Sequence, residues 1–445
     1  MPQKSPRPGF ESWGRYPKLE AKVVPLNWTC EFPLRPPPAT RMLPVGAGRS
    51  YGDVCLLGHG TLLRTRGPGL SGGMDRLLDF DPATGILCCE AGVTLGEILD
   101  FAVPRGFFLP VSPGTKFVTV GGAIANDIHG KNHHMAGTFG RHVPRFELVR
   151  SDGRQLICSA AQNADWYSAT IGGMGLTGLI AWAEVKLRPI ASRRLQYMGI
   201  KFNGIEEFVA LSARNAKSEY TVAWIDCVGT GRNFERGIFM AADHDTIPGR
   251  LTRSKPSRMS LPIDLPEFML NHNTVALFNS LYYNRQRSKV KSAVLDYEPF
   301  FFPLDRLRHW NRMYGKSGLL QFQCVLPWEP DHRGLTEILK SITRSRLASF
   351  LAVLKVFGDV PSPGMMSFPK PGITLALDFP IRHEASLDLL ERLAAITLEH
   401  GGRMYPAKDA TMTPTQFQAF YPQWKKFAAY IDPAFDSAFW QRVTS

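Results

Sequence analysis

Short apolar runs separated by glycine and proline turns fill the first part of the chain, from about Arg41 to Pro189. The runs GTLLRT, GILCCEAGV and LIAWAEVKLRP have the length and composition of β-strands. Between them, TLGEILDFAVPRG has the apolar spacing of a short amphipathic helix, which Pro104 and Gly106 end. This alternation predicts an α+β unit.

A different pattern begins at about Ser192. The candidate helices IEEFVALSARNA and LTEILKSITRSR alternate with the longer strands SGLLQFQCVLP, FLAVLKVFG and GITLALDFPI. The pattern predicts a second α+β unit, built on a sheet. From Gly401 a tail carries the compact motif YPAKDA and a helix-like run, FQAFYPQWKKFAAYIDPAF. We therefore expect three parts, which span residues 1–191, 192–400 and 401–445.

The segment from Arg250 to Lys291 is basic and less regular than its surroundings. A Pro/Leu-rich stretch, SLPIDLPEFML, is followed by ALFNSLYYNRQRSKVKS. A loop of this length within a compact domain is usually functional or mobile. We expect residues of about 250–291 to form an insertion or flexible flap in the middle part.

Composition narrows the class of protein. A chain of 445 residues is long enough for two or three domains, and its net charge of +13 fits an anionic substrate, an anionic cofactor or an acidic membrane surface. The Lys and Arg residues are scattered and no nucleic-acid-reading motif occurs, so nucleic acid is not expected. The seven cysteines include no CxxC pair, which favours a reducing compartment. Without a signal peptide or an apolar run of about eighteen residues, we expect a soluble or peripheral protein.

A glycine-rich loop, PVGAGRSYGDV, runs from Pro44 to Val54. Gly46, Gly48 and Gly52 free the backbone, so that successive N–H groups can point into one concavity beside Arg49. A diphosphate is the natural occupant, although the loop is neither a Walker A motif nor a dinucleotide fingerprint. An ordinary tight turn is the alternative.

A second segment, from Pro113 to Val143, reads PGTKFVTVGGAIANDIHGKNHHMAGTFGRHV. It predicts a Thr/Val-rich strand that runs into two glycines, Gly121 and Gly122, where a backbone can approach a planar, phosphorylated ligand. The alternative is a glycine-punctuated turn with surface histidines. A metal site is not expected, because only Asp127 accompanies the four histidines, which are His129, His133, His134 and His142.

Three further motifs bear on chemistry. GGMGLTG, at residues 172–178, has the form GxGxxG, but the strand-like alternation after it excludes a Rossmann site, and its glycines are expected to pass close to a ring or ribose. In the tail, Tyr405, Lys408 and Asp409 lie within five residues. Lys408 either lies over a redox ring, where it stabilises negative charge, or forms a surface salt bridge. Gln321 and Gln323 share one strand face and either bind a polar ligand or hydrogen-bond the backbone.

Taken in order, GAGRSYGD, VGGAIANDIHGKNHH, GGMGLTGLI and YPAKD resemble the vanillyl-alcohol-oxidase class of flavoproteins. Within that class the chain looks like the oxidase subunits of the decaprenylphosphoryl-β-D-ribose 2′-epimerases. The similarity covers nearly the whole chain, including HWNRMYG, LLQFQCVLP and LKVFG, and DIHGKNHH is its most specific string. The resemblance implies an α+β fold in which a two-part FAD domain, residues 1–191 and 401–445, carries an inserted substrate domain on an antiparallel sheet.

The resemblance also implies site residues. The FAD diphosphate would contact the glycine loop: Pro44, Val45, Gly46, Ala47, Gly48, Arg49, Ser50, Tyr51, Gly52, Asp53 and Val54. The rest of the cofactor would contact Gly114, Thr119, Val120, Gly121, Gly122, Asn126, Asp127, Ile128, His129, Ile180 and Tyr405. The substrate pocket would hold Lys131, Trp224, Tyr314, Gln321, Gln323, Lys355 and Lys408. The catalytic residues would be Lys408, His129 and Tyr405.

Members of this subfamily oxidise the 2′-hydroxyl of a polyprenyl-phosphoryl-β-D-ribose to a 2′-keto intermediate, which a separate NADH-dependent short-chain reductase converts to the arabinose form. We expect the same activity here, with Lys408 or a water that it holds taking the hydroxyl proton. FAD is expected to be non-covalent, because Arg49 stands where many members of the wider class have a flavin-linked histidine. Ala376 and Thr374 replace a cysteine and an asparagine of mycobacterial members, so we expect no cysteine-based reaction in the pocket of the kind that those members could support.

A lipid-linked substrate would also account for the basic flap. We expect a cytoplasmic protein with peripheral contact at the inner membrane, where basic side chains face anionic headgroups and apolar ones face lipid. The basic set is Arg250, Arg253, Lys255, Arg258, Arg285, Arg287, Lys289 and Lys291, and the apolar set is Phe268, Leu270, Phe278 and Leu281. A solvated loop is the alternative for the flap. For the whole chain, the alternatives are a soluble sugar or aldonolactone oxidase that uses oxygen, or a non-enzymatic binding protein.

Overall fold

The computed structural model describes residues 9–67, 72–249, 251–253 and 259–445. Two sheets form the first part of the chain, a parallel one in the order β1-β3-β2 and an antiparallel one in the order β4-β5-β9-β7-β8, with a small ribbon of β6 and β10. Their strands are β1 (Lys22–Pro25), β2 (Met42–Val45), β3 (Thr61–Arg64), β4 (Leu77–Asp81), β5 (Ile86–Glu90), β6 (Phe107–Phe108), β7 (Arg145–Val149), β8 (Gln155–Ser159), β9 (Leu179–Lys186) and β10 (Arg188–Pro189). The predicted strands in GTLLRT, GILCCEAGV and LIAWAEVKLRP correspond to β3, β5 and β9.

Four helices accompany these sheets: α1 (Leu95–Ala102), α2 (Val120–Ala125), α3 (His133–Ala136) and α4 (Ala164–Thr170). Helix α1 is the predicted amphipathic helix, and a Thr94–Glu97 capping box begins it. The predicted Thr/Val-rich strand before Gly121 is wrong. Thr119 Oγ1 instead accepts the N–H of Gly122 at 3.2 Å and caps α2, because a local side-chain cap can outweigh β-propensity.

The middle of the chain forms an eight-stranded antiparallel sheet in the order β15-β11-β13-β12-β18-β19-β17-β20. Its strands are β11 (Arg194–Asn203), β12 (Tyr220–Ile225), β13 (Arg236–His244), β15 (Val290–Asp296), β17 (Leu319–Leu326), β18 (Ala352–Phe357), β19 (Gly372–Pro380) and β20 (Arg403–Met404), and a separate ribbon pairs β14 (Met259–Ser260) with β16 (Leu307–Arg308). The helices of this part are α5 (Ile205–Arg214), α6 (His272–Asn284), α7 (Tyr297–Phe301), α8 (Arg333–Ser345) and α9 (His383–Glu399). The predicted helices in IEEFVALSARNA and LTEILKSITRSR correspond to α5 and α8. The predicted α+β fold with an antiparallel sheet is confirmed.

The segment predicted as an irregular flap contains helix α6 and the start of edge strand β15. Asn279, on the buried side of α6, donates to Asp226 Oδ1 at 2.8 Å and ties the helix to the sheet. The opposite side exposes Leu277 and Leu281. Of the predicted basic set, Arg250, Lys255 and Arg258 lie outside the described residues.

The tail is built into both earlier parts. Strand β20 pairs with β17 at the edge of the large sheet, and the predicted long helix is instead α10 (Pro414–Phe420) and α11 (Trp424–Ala428), followed by α12 (Ala438–Thr444). One apolar core contains buried side chains from all three parts, among them Leu43, Phe322 and Phe417. The domain boundaries at 191 and 400 stay a prediction. No helix within the described ranges has the length and apolar character needed to cross a bilayer.

Candidate active site

A cavity of about 280 Å³ is lined by residues from the glycine loop, the α2 segment, strands β9, β17, β18 and β19, and the tail. The charged side chains in its wall are cationic, and include Arg49, Lys355 and Lys408. None of the described residues that line it carries a carboxylate. The wall therefore favours an anionic ligand.

The glycine loop forms one wall directly after β2. The backbone N–H groups from Gly46 to Ser50 have no protein acceptor among the described residues, which leaves five consecutive donors at the cavity. Gly48 has a φ of +63°, a conformation that glycine adopts without strain. Such a run of free N–H groups is a ready-made anion site.

The tail lies directly against this loop. Tyr51 donates its N–H to the carbonyl of Ala407 at 3.0 Å. A Cβ on Gly52 would lie 1.7 Å from the carbonyl oxygen of Asp409, so only glycine fits there. Behind the loop, Arg442 of α12 hydrogen-bonds both Asp53 and Asp409 at 2.8–2.9 Å. These contacts fix the position of Lys408 relative to the loop.

The α2 segment forms the facing wall. Gly121 lies against Ala91, where an added Cβ would be 3.0 Å from the alanine Cβ. Tyr405 donates its hydroxyl to the carbonyl of Asn126 at 2.7 Å and thereby joins the tail to this segment. Asp127 is turned away from the cavity, because its carboxylate accepts hydrogen bonds from Ser362, Ser367 and the N–H of Gly140.

His129 is buried among the rings of Phe357, Phe368 and Tyr405. Gln323 Nε2 lies 2.9 Å from His129 Nε2. Burial, and then the charge of Lys355, holds the pKa of His129 well below its usual range, so the ring is neutral. Because an amide nitrogen only donates, Nε2 accepts and the ring proton is on Nδ1, which is buried without a partner.

Lys408 lies over the ring of Tyr51, with Nζ 3.9 Å from the ring centroid. Burial lowers the pKa of Lys408 to about 7 and that of Lys355 to about 8. Both amines therefore have a substantial neutral fraction near physiological pH.

A buried carboxylate lies on strand β19, which pairs with β17. This residue, Asp378, is fully buried and faces Gln321 of β17, whose Nε2 donates a hydrogen bond to the carboxylate.

The structure brings most of the predicted site residues together. Those that line the cavity are Pro44, Val45, Gly46, Ala47, Gly48, Arg49, Ser50, Tyr51, Val54, Gly114, Thr119, Gly121, Gly122, Asn126, Ile128, His129, Ile180, Gln321, Gln323, Lys355, Tyr405 and Lys408. Those that do not line it are Gly52, Asp53, Val120, Asp127, Lys131, Trp224 and Tyr314. Lys131 donates to the carbonyl of Phe301 at 3.1 Å, and Trp224 packs on Tyr282. The roles of all these residues stay predictions.

The four histidines are not on the surface. His129 and His133 are buried, and His134 and His142 are half-buried, so the alternative of a turn with surface histidines is wrong. Within the described ranges, no group of three or more His, Cys, Asp or Glu side chains is arranged to hold a metal ion.

Sequence reasoning missed several lining residues. Trp13 lies under the guanidinium of Arg49, at 4.1 Å from Cζ to the ring centroid, and Trp310, Leu351 and Val353 also contribute. Gly175 and Gly178 line the cavity as well, and for these the signal was present, because the GGMGLTG motif was expected to pass close to a ligand.

Comparison with known proteins places this cavity in a family. Residues 39–159, which contain the glycine loop and the α2 segment, match the model of the FAD binding domain family. Over 405 residues the chain is 35% identical to decaprenylphosphoryl-β-D-ribose oxidase of Mycolicibacterium smegmatis, a match that covers 87% of this chain and 85% of that relative. The chain belongs to the decaprenylphosphoryl-β-D-ribose oxidase family. As a member of this family it is an FAD-dependent oxidoreductase, and the predicted family, cofactor and enzyme class are confirmed.

Two other relatives match this chain at lower sequence identity. An uncharacterized protein in the mprA 5′ region of Streptomyces coelicolor is 30% identical over 365 residues, covering 77% of this chain and 96% of that protein. The human Delta(24)-sterol reductase is 28% identical over 138 residues, covering 31% of this chain and 26% of the reductase.

The residues present fit FAD. The free N–H groups of the glycine loop match a diphosphate, and Gly121 and Gly122 keep the facing wall free of side chains. Buried polar atoms without partners, Arg49 Nε, Asn126 Oδ1 and His129 Nδ1, remain available beside the cavity. Such orphaned groups are rare in proteins unless a ligand or water satisfies them.

Proposed function

We propose that this family member oxidises the 2′-hydroxyl of a polyprenyl-phosphoryl-β-D-ribose to the 2′-keto sugar, the first half of epimerisation to the arabinose form. The proposal draws on the mycobacterial relative that is named a decaprenylphosphoryl-β-D-ribose oxidase, since the match to this chain covers 85% of that relative's length. The observation that carries it is the convergence of Lys408, Gln321, Gln323 and His129 on one cavity that is walled by cations. A sugar phosphate needs both hydroxyl-binding and charge-neutralising groups.

The chemistry separates into an electron acceptor and a proton acceptor. FAD, when bound, supplies the acceptor for the hydrogen and two electrons that leave C2′. The protein accepts the proton of the 2′-hydroxyl at Lys408 Nζ, because the low pKa of this lysine leaves part of it unprotonated near pH 7. Gln321 and His129, whose side chains both line the cavity, orient the sugar by hydrogen bonds.

Two more lysines suit the phosphate. Lys355 lines the cavity. Lys131 does not line it, but burial and then the charge of Lys355 lower the pKa of Lys131 to about 7. An anionic ligand would raise the pKa values of both lysines and hold them as cations. Trp224 and Tyr314 stay expected substrate contacts, although neither lines the cavity.

The test is an anaerobic titration of the purified yellow protein with polyprenyl-phosphoryl ribose. We expect loss of the flavin absorbance in the wild type, and none in Lys408→Ala although its flavin stays bound. Lys340→Ala, which alters an exposed lysine of α8, is the matched control and should bleach as the wild type does. Normal bleaching of Lys408→Ala would remove the role given to Lys408. A wild type that ignores this substrate but makes peroxide from free aldoses or aldonolactones would replace the proposal with a soluble sugar oxidase.

A second enzyme completes the epimerisation. The 2′-keto sugar must be reduced on the opposite face to give arabinose, and an NADH-dependent short-chain reductase is the expected partner. Incubation of both enzymes with substrate and NADH should give the arabinose form, whereas this oxidase alone should stop at the ketone. Arabinose formation without any reductase would contradict the division of labour.

The exposed face of α6 suits a membrane contact. Leu277, Phe278 and Leu281 are exposed on one side of the helix, and Arg285 and Arg287 follow its end. Apolar side chains next to basic ones favour a bilayer with anionic lipids. The double variant Leu277→Ser with Leu281→Ser should lose co-sedimentation with anionic liposomes, and the control Leu78→Ser, an exposed leucine on β4, should not. Equal binding by all three proteins would exclude α6 from membrane contact.

A further inference from the structure

Asp378 is a carboxylate buried under the cavity without a complete set of partners. Its residue is 0% exposed, Oδ1 accepts from Gln321 Nε2, and its own N–H donates to Ser349 Oγ at 2.9 Å. Oδ2 is buried with no hydrogen-bond partner among the described residues. No described Lys, Arg or His side chain lies within 4.0 Å to form an ion pair with it. A buried carboxylate in this state is costly for stability, which calls for a functional reason.

The groups around Asp378 belong to the site rather than to the scaffold. Gln321, which holds Oδ1, lines the cavity. Burial, and then the charge of Asp378, raise the pKa values of Tyr51 in the glycine loop and of Tyr314. The hydroxyl of Tyr314 is buried without a partner among the described residues. Lys408 lines the same cavity as Gln321 and lies over the ring of Tyr51, with Nζ 3.9 Å from the ring centroid.

We infer that Asp378 is a positioning residue: its buried carboxylate holds the amide of Gln321 in place and puts a negative charge behind the cavity wall that Gln321 shares with Lys408. The catalytic consequence rests on the proposed function, but the effect on Lys408 does not. No motif in the sequence pointed to Asp378, and it touches neither the cavity nor the reacting atoms.

The sign of the effect follows from the charges that face Lys408. Burial lowers the pKa of Lys408, Asp378 raises it, and Lys355 of β18 lowers it. Tyr51 lies beneath the amine, and the neutral His129 adds no charge. Burial raises the pKa of Asp378 to about 7, against the hydrogen bond from Gln321 and the charge of Lys408. Without the carboxylate, Lys408 loses the only described group found to favour its protonated form.

Asp378 also orients the amide of Gln321. An ionised carboxylate only accepts hydrogen bonds, so Nε2 of the amide must face it and Oε1 must point away. Oε1 has no protein partner, although Gln321 lines the cavity. The hydrogen bond to Asp378 therefore fixes which end of the amide is paired and leaves Oε1 as a buried acceptor without a partner among the described residues.

The direct test is the titration of Lys408 in the flavin-loaded protein. Lys408 is acetylated with a pulse of acetic anhydride between pH 5.5 and 9.5, and its modification is quantified by peptide mass spectrometry. Asp378→Asn keeps the side-chain volume and an acceptor oxygen but removes the charge, so the titration midpoint should fall by about one pH unit. Asp378→Glu keeps the charge and should stay near the wild type. Asp432→Asn alters another fully buried carboxylate, which binds Ser151, and should leave Lys408 unchanged.

A second variant keeps the inference testable if Asp378→Asn does not fold. Gln321→Leu removes the hydrogen bond that favours the ionised form of Asp378, so it should also lower the midpoint of Lys408. An unchanged midpoint in either variant overturns the inference, as does a shift in Asp378→Glu as large as that in Asp378→Asn. In the wild type, substrate-driven flavin reduction should rise with pH, and Asp378→Asn should move that rise to lower pH. A wild type that polyprenyl-phosphoryl ribose does not reduce would refute the proposed function and leave the titration result standing.

Discussion

Replacement of Arg442 by methionine should destabilise the protein far more than loss of an ordinary surface charge. The guanidinium of Arg442 binds Asp53, in the glycine loop, and Asp409, which follows Lys408. The side chains of the two carboxylates are only 4% and 1% exposed. Removal of one partner from a buried ion pair typically costs about 3–5 kcal/mol, because a charge stays buried without compensation. Arg442→Met strands two such charges, so we expect a loss of at least about 3 kcal/mol.

The assay is urea unfolding at pH 7.5 with saturating FAD, followed by tryptophan fluorescence. The matched control is Arg145→Met, which breaks the pair with Glu184 at an arginine whose side chain is 53% exposed and should cost about 0–1 kcal/mol. Adding Asp53→Asn and Asp409→Asn to Arg442→Met should recover part of the loss, because the stranded charges are then gone. A cost for Arg442→Met no larger than that of the control would refute the reasoning.

Three further predictions concern the cavity. Gly52→Ala should lose flavin during gel filtration, because the new Cβ would lie 1.7 Å from the carbonyl oxygen of Asp409. The control Gly58→Ala, whose Cβ would have no atom within 4 Å, should retain flavin. Equal flavin content in the two variants would contradict the close packing at Gly52. Ala376→Cys places a thiol in the cavity wall. A small thiol reagent should modify this new cysteine in the flavin-free protein, and bound FAD should protect it. Labelling that FAD does not change would place position 376 away from the cofactor. Lys355→Met should stabilise the flavin-free protein by about 2 kcal/mol at pH 7, after allowance for its partial exposure, and by little at pH 10.5. The sign follows because the pKa of Lys355 in the folded protein, about 8, lies below the ordinary lysine value of 10.5, so folding disfavours the protonated form until the pH rises through that window. An effect independent of pH would contradict this origin.

The sequence supports its most reliable predictions where the pattern is local. The alternation after Gly178 correctly indicated strand β9 rather than a nucleotide-binding helix, and the spacing in LTEILKSITRSR correctly indicated α8. The same local reasoning failed at Thr119. Its neighbours favour a strand, but a single hydrogen bond from Gly122 to the threonine side chain starts α2.

The parts that could not be predicted depend on strand register and on contacts between distant segments. Asp378 lies in an apolar strand, and only the pairing of β17 with β19 brings it opposite Gln321. The packing of Trp13 on Arg49 is a similar case, because no motif around either residue indicates that the two are in contact. Convergence of the glycine loop with Lys408 was inferred from resemblance, since nothing in the spacing of residues 44–54 and 405–409 indicates that they meet.

Strand β20 and helix α12 have a consequence for how the enzyme matures. Residues 403–404 add the last strand to the large sheet, and Arg442 locks the loop that faces the cofactor. During translation these pieces leave the ribosome after every segment that they join. Flavin uptake is therefore expected to be a late event in biogenesis, which cannot be completed on a nascent chain that still lacks α12.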